Sequence, residues 1–332
     1  MKAGHCPLTW TTDQGETENP MKISRWLVFA LATPLLWGVW GALTEYPEKW
    51  ISPPFPATLG YVVWSLTMVP VGLFVLWRNS WKTDFRLASI LYGSAVGFSG
   101  AVGQLILFWV LTRGPAYIIF PIICLSPAVT IILSATLLRE RARPVATLGI
   151  LLSMPAILLL ALQEPDSSPV HCHLWLILAI LIFLLWGLQA YFMKSSAHCI
   201  SPENLFFYMT VTGLVLSPIA LFMTDFSAPI NWGIKGAPLA ALIQSLNAWG
   251  CLLFVLAVRF GKAIIVVPMV NGLFPVVTIV LSLLLYHTLP TRLNFFGILL
   301  ALVAILLMAF DEVRNEAPSE SPDLQKPEVA RR

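Results

Sequence analysis

Long apolar segments alternate with short polar loops along most of the chain. Each apolar segment has roughly 20 residues, enough for a helix to cross a hydrocarbon layer of about 30 Å at about 1.5 Å per residue. The loops between them are too short to hold a separate soluble domain. The pattern predicts an all-α polytopic membrane protein with ten transmembrane helices. The predicted spans are residues 26–44, 57–77, 87–109, 115–137, 145–162, 173–193, 204–223, 237–257, 263–285 and 293–310.

The composition supports this prediction and indicates an orientation. Hydrophobic residues make up 58% of the 332-residue chain and charged residues 11%, with a mean hydropathy of +0.80. A soluble domain carries about 25% charged residues, so the composition excludes an ordinary soluble protein. The loops on the N-terminal side of the membrane carry Lys22, Arg25, Arg78, Lys82, Arg86, Arg139, Arg141, Arg143, Lys194, Arg259 and Lys262, whereas the opposite loops carry only Lys49, Arg113, Lys235 and Arg292. We expect an integral protein of the plasma (inner) membrane, and the positive-inside rule predicts that both termini lie in the cytoplasm.

The second half of the chain repeats the first. The segment GPAYIIFPIICLSPAVTIILS begins at residue 114, and GKAIIVVPMVNGLFPVVTIVLS begins at residue 261. The sequence LLWG likewise occurs at 35–38 and again at 184–187. Because Gly, Ala, Pro, Thr and Trp recur in the same order, apolar composition alone does not explain the match. The matched pairs include Gly114 with Gly261, Pro121 with Pro268, Pro127 with Pro275, Thr130 with Thr278, and Trp37 with Trp186.

The number of spans in each half determines how the two halves relate. Five is odd, so the second half must enter the membrane from the opposite side to the first. Such inverted-topology repeats are typical of secondary transporters, whose sites lie near the midplane between the halves. The predicted organisation is a polar, disordered leader at 1–20, five-helix repeats at 26–162 and 173–310, and a disordered cytoplasmic tail at 313–332.

The repeated segments also resemble a known family. Residues 114–144, GPAYIIFPIICLSPAVTIILSATLLRERARP, with GILLSMPAILLLAL at 149–162 and the second copy at 261–310, resemble EamA-type members of the drug/metabolite transporter superfamily. The resemblance covers residues 26–310 and implies ten helices, with the fifth and tenth peripheral and the others around one cavity. The second copy departs from the family pattern, because His287 and Thr288 stand where the family usually keeps Glu. Members transport amino acids, sugars, nucleotide-sugars, phosphorylated compounds or drugs, so the resemblance does not name a substrate.

The polar residues deep in the predicted spans are amides and aromatic residues. An amide that faces lipid lacks hydrogen-bond partners, which is costly, so these side chains should face the protein interior. They could bind a solute, with tryptophan stacking on it and amides hydrogen-bonding to it, or they could join helices by hydrogen bonds. The predicted cavity residues are Trp37, Trp40, Tyr61, Trp64, Gln104, Trp186, Gln189, Gln244, Asn247 and Asn271.

Two further features bear on movement and coupling. Interrupted helices in matching positions of two halves indicate a binding region, so we expect helix bends at Pro121, Pro127, Pro268 and Pro275. The middle of each predicted span lacks Asp and Glu. Glu45, just after the first span, is therefore the candidate for coupling, with a solvated helix end as the alternative.

The leading interpretation is a secondary carrier that moves a small organic solute, either sugar-like or an amino acid or other metabolite, by alternating access. The alternatives are an exporter of amphiphilic drugs or amino acids and, outside transport, a membrane scaffold or receptor. An intramembrane enzyme would need a nucleophile–base pair, a His-Glu-x-x-His motif or paired aspartates in the spans, and the sequence has none of these. We expect no cofactor, no metal site and no nucleic-acid partner. The expected partners are the solute and the bilayer, and the expected state is a monomer or a homodimer.

Overall fold

The computed structural model describes residues 24–44, 46–111, 123, 125–161, 174–286 and 292–316, and this part of the chain is helical without strands. It contains ten α-helices of ten residues or more. Their bounds are α1 Arg25–Thr44, α2 Ala57–Arg78, α3 Leu87–Leu111, α4 Pro127–Thr136, α5 Pro144–Ala161, α6 Leu174–Ser195, α7 Pro202–Phe222, α8 Ala237–Phe260, α9 Ala263–Tyr286 and α10 Arg292–Glu316. A one-turn helix, Tyr46–Lys49, and a 3₁₀ turn, Ser196–His198, complete the described elements.

These helices correspond one to one with the predicted spans. Eight of them begin and end within three residues of the predicted limits, and α10 begins as predicted but continues to Glu316. The described part of α4 is shorter than its predicted span because residues 112–122 and 124 lie outside the described residues. In the described chain, six helices are long and apolar enough to cross a membrane, and the apolar parts of α4, α5, α9 and α10 are shorter. The predicted leader and nearly all of the predicted tail lie outside the described residues.

Most of the extensive helix contacts join one half of the chain to the other. Helix α1 packs on α8 and α9, α2 on α7 and α8, and α3 on α6 and α7, while α5 packs on α10. Helix α4 contacts α6 and α9. If each helix of the first half is exchanged for its counterpart five helices later, the same pairs are obtained. The packing therefore has the approximate two-fold character expected for two copies of one unit.

Two matched hydrogen bonds mark where the halves cross. Thr130 Oγ1 on α4 donates to the carbonyl oxygen of Gly187 on α6 at 2.9 Å. Thr278 Oγ1 on α9 donates to the carbonyl oxygen of Gly38 on α1 at 3.3 Å. The sequence repeat pairs both the threonines and the glycines. The same contact is therefore made twice, each time between an element of one half and an element of the other.

These crossings depend on the missing side chains of the two glycines. A Cβ atom at Gly38 would collide with Val277, and a Cβ atom at Gly187 would collide with Val129. Lipid chains are as apolar as leucine, so helices in a membrane associate through such close packing more than through apolar burial. The two glycines thus set how closely α1 and α6 approach the opposite half.

The two ends of the helix bundle differ in charge and packing. At one end, Arg86 Nη2 donates to the carbonyl of Cys199 at 3.1 Å, and Arg259 Nη1 donates to that of Ile200 at 3.2 Å. The loops 79–86, 137–143, 196–201 and 261–262 and the start of α1 meet at this end. We call it the basic end, because these segments carry many of the Lys and Arg residues of the chain. At the opposite end, Asn231 N donates to the carbonyl of Pro54 at 3.2 Å.

We expect Gly38→Ala and Gly187→Ala to destabilise the protein by similar amounts, about 1–3 kcal/mol each, because the added methyl group forces two packed helices apart. The matched control is Gly272→Ala in α9, where an added Cβ meets no other residue within 4 Å. This control should leave stability unchanged or raise it by up to about 1 kcal/mol through helix propensity. Unfolding titrations in SDS would measure all three variants. Equal stability of Gly38→Ala and Gly272→Ala would contradict the close approach described above.

Candidate functional site

A cavity lies among the helices that cross between the halves. Its volume is about 170 Å³. It is lined by residues from α1, α2, α3, α6, α7, α8 and α9 and by Ile123 and Ser126, just before α4. Both halves therefore contribute to it.

Eight of the ten predicted cavity residues lie around this cavity. They are Trp37, Trp40, Trp64, Gln104, Trp186, Gln189, Asn247 and Asn271. The other two, Tyr61 and Gln244, are buried behind it. Tyr61 donates its hydroxyl to the carbonyl of Gly213 at 3.2 Å and packs its ring at 5.2 Å from that of Trp64. These two residues support the lining without belonging to it.

Polar groups on the α1, α2 and α8 side of the cavity are paired with one another. The indole N–H of Trp64 donates to Asn247 Oδ1 at 2.8 Å, and that of Trp40 donates to Gln244 Oε1 at 2.8 Å. The N–H of Trp37 donates to the backbone carbonyl of Asn247 at 3.3 Å. Three tryptophans are thus held in fixed orientations by two residues of α8. Their ring faces, and not their N–H groups, remain for contact with a solute.

The polar groups on the α3 and α6 side are not paired in this way. The side chains of Gln104 and Gln189 and the indole N–H of Trp186 make no hydrogen bond within the described residues, although all three line the cavity. Gln189 lies against Gly100, and Trp186 lies against Gly103. A polar group without a partner in a low-dielectric interior costs free energy, so a solute or water that bonds to these atoms would be stabilised. This side of the cavity therefore has free donors and acceptors.

The side chain of Asn271 has one paired and one unpaired polar atom. Its amide N donates to the carbonyl of Val267 one turn earlier at 2.9 Å, which leaves its amide oxygen available to the cavity. The ring of Phe274, one turn later, packs edge-on at 6.4 Å from the ring of Trp37. Phe254 contacts the same tryptophan at 5.3 Å. An aromatic cluster therefore closes the α8 and α9 side of the cavity.

The described lining contains no Asp, Glu, Lys, Arg or His. Among the described residues there is also no group of three or more His, Cys, Asp or Glu side chains that could hold a metal ion. A charged solute would find no opposite charge among the described lining residues, and burying an unpaired charge is costly. The chemistry of the described lining is therefore stacking, apolar contact and neutral hydrogen bonding.

The structure describes three of the four prolines at which helix bends are predicted. Pro127 is the first residue of α4 and follows a turn at Leu125–Ser126, so the chain here is interrupted before the helix. Pro268 and Pro275 lie within α9, which continues through both, and they flank the cavity residue Asn271. Each proline removes one hydrogen bond of the helix backbone. Pro121 and Glu45 lie outside the described residues.

Several cavity residues were not identified from the sequence. Met68, Met209, Phe254 and Phe274 are apolar residues in apolar spans, so nothing distinguishes them from residues that face lipid. Ser126 could have been found by matching the repeat more closely, because it precedes the matched Pro127.

Both halves of the chain match the family model of the EamA-like transporter family, over residues 24–162 and 173–310. The chain belongs to this family. The resemblance predicted from the two repeated segments is thereby confirmed, and the protein is an integral membrane transporter of small solutes.

Two further comparisons concern individual proteins. A solved crystal structure is similar with a TM-score of 0.69 and 15% sequence identity, covering 90% of this chain and 100% of the other. At this identity the similarity shows the fold alone. A search of curated protein sequences finds no match.

The difference between paired and unpaired amides can be tested by a matched pair of substitutions. Gln244→Leu removes the acceptor for Trp40 and leaves a part-buried N–H unpaired, so we expect a loss of about 1–3 kcal/mol in stability. Gln189→Leu removes an amide without a described partner and should leave stability unchanged or slightly higher. Unfolding titrations in SDS would compare the two variants. A larger loss for Gln189→Leu than for Gln244→Leu would contradict the assignment.

Proposed function

We propose that this EamA-like transporter is a secondary carrier that moves a small, uncharged organic solute by alternating access to the central cavity. The observation that carries the proposal is a charge-free described lining, contributed by both halves, with unpaired amide and indole groups on one side.

The directions of the packed helices support an inverted repeat. Residues 186 and 189 of α6 lie against residues 103 and 100 of α3, so the two helices run antiparallel. Helices α1 and α3 are separated by two reversals of the chain and run in the same direction. The second half therefore starts in the direction opposite to the first. Inverted halves around a midplane site are the arrangement from which alternating access follows, because each half can adopt the conformation of the other.

The lining supports an uncharged solute with hydroxyl or amide groups and one apolar face. Gln104, Gln189 and Trp186 offer hydrogen bonds on one side, while the rings of Trp37 and Trp64 offer stacking surfaces on the other. A sugar-like molecule has both features. A phosphorylated solute would need a cation, which the described lining lacks.

The alternative solute is an amphiphilic amine or an amino acid. Four tryptophans line the cavity, and an aromatic ring face attracts a cation at up to about 6 Å from its centre. An exporter of drug-like amines would use this attraction. The carrier mechanism is the same for both solute classes. Only a measured preference for neutral solutes or for amines and amino acids distinguishes them.

We propose that the protein lies in a plasma (inner) membrane. From the positive-inside rule, its basic end and both termini face the cytoplasm. A reporter inserted between residues 163 and 172 should then be found on the non-cytoplasmic side. A cytoplasmic reporter at that position would reverse the assignment.

Purified protein in liposomes should accelerate the exchange of labelled neutral polyols or sugars across the bilayer. Gln104→Leu and Gln189→Leu should each reduce flux by about tenfold, as expected for loss of one hydrogen bond to the solute. Ser245→Ala is the control, because Ser245 bonds within its own helix and lies outside the cavity lining. Flux of amines or amino acids alone would favour the alternative solute. No flux for any solute in a broad panel would contradict the carrier proposal.

A further inference from the structure

A buried carboxylate joins the two halves at the basic end. Glu140 follows α4 in the first half, and α9 begins at Ala263 in the second. The Glu140 carboxylate accepts the backbone N–H of Ile264 at 3.0 Å and that of Ala263 at 3.3 Å. The first N–H groups of a helix lack partners within the helix and carry partial positive charge. Glu140 therefore caps a helix of the opposite half.

A lysine from the second half completes this contact. Lys194, at the end of α6, places Nζ 3.8 Å from Glu140 Oε1 and donates to the carbonyl of Gly261 at 2.6 Å. The side chains of Glu140 and Lys194 are only 8% and 13% exposed. The end of α4, the end of α6 and the start of α9 are therefore tied together by two charged groups.

Tightly packed apolar residues lie between this contact and the cavity. Val266, Met269 and Val270 of α9 are fully buried. Val267, which lines the cavity, is four residues beyond Ala263, or about 6 Å along a helix. Trp26 of α1 is buried nearby and would meet a side chain added at Gly261. Buried side chains of α9 therefore separate this contact from the cavity.

The sequence lacks a matching carboxylate for the opposite end. The offset that pairs Thr130 with Thr278 pairs Arg139 with His287 and Glu140 with Thr288. An inverted repeat exchanges the two ends of the bundle, so the counterpart of Glu140 would act at the other end. A threonine cannot supply a negative charge to a helix N-terminus or to a lysine.

We propose that Glu140 and Lys194 form a latch that holds the basic end closed, and that the missing counterpart at residue 288 biases the protein toward this conformation. The inference rests on the proposed alternating access, because it presupposes a second conformation in which the basic end is open. Glu140 and Lys194 act by positioning α4, α6 and α9 and do not contact the solute.

The burial of the latch also limits its strength. Burial raises the pKa of Glu140 above its ordinary value, whereas the N–H of Ile264 and the charge of Lys194 act against this rise. Removing charges from water costs about as much as a buried ion pair returns. Such a contact can favour one conformation and still open during each transport cycle.

Hydrogen exchange of the backbone amides tests the latch in the intact protein in nanodiscs, without solute. In Glu140→Gln, amides of residues 263–267, 269 and 270 should exchange about 10- to 100-fold faster, since a hydrogen bond to a charged group is lost. Residues 40–44 and 240–244, near the opposite end, should exchange more slowly as that end closes. Lys194→Gln should shift both ends in the same directions to a smaller extent. Glu203→Gln, which changes another glutamate at the basic end, is the matched control and should alter neither end.

The opposed changes at the two ends are the decisive result. Faster exchange at both ends, or at the basic end alone, would mean that Glu140 only stabilises local structure, and this would overturn the latch. Because the measurement does not use flux, it separates the two proposals. Normal flux without opposed changes in exchange rejects the latch, whereas opposed changes without flux of any solute reject the carrier.

Discussion

The close approach of a glycine on one half to a helix of the other half is the contact on which the arrangement depends. Gly38 meets Val277 and Gly187 meets Val129, and in each case a threonine hydroxyl bonds to the carbonyl of the glycine. Water is absent from a bilayer core, so helices there gain little from burying apolar side chains and must pack closely. The two crossings hold α1 against α9 and α6 against α4, and the cavity is the space that remains between them.

The function proposed for the molecule comes from the positions where the two copies differ. Trp40 and Gln189 are counterparts three residues beyond the matched tryptophans, yet Trp40 is bound to Gln244 and Gln189 has no described partner. The cavity consequently has one side with fixed aromatic faces and one side with free polar groups. A similar difference at residues 140 and 288 makes the two ends unequal. The shared residues build a symmetric scaffold, and in the proposed mechanism the differing residues give it a binding side and a preferred conformation.

Sequence alone predicts the helices and the repeat well, because both depend on patterns that extend over many residues. Apolar length sets the span limits, and matched Pro, Gly, Thr and Trp reveal the two copies. The individual contacts of polar residues were harder to predict. Gln189 and Gln244 look alike in sequence, as amides in apolar spans, but only Gln244 has a tryptophan N–H within reach. From the sequence, Glu140 would be assigned as an ordinary charged residue of a loop, because its partners Ile264 and Lys194 are far away along the chain.

The central claim is that one cavity between the two halves becomes accessible from each side of the membrane in turn. Cys251 lines that cavity and provides a native reporter. In a variant that retains only this cysteine, sealed vesicles of each orientation would be treated with a membrane-impermeant maleimide. The account predicts that Cys251 is alkylated from both sides, more slowly from the basic end, and that a transported solute slows alkylation from either side. Alkylation from one side only under all conditions would contradict it.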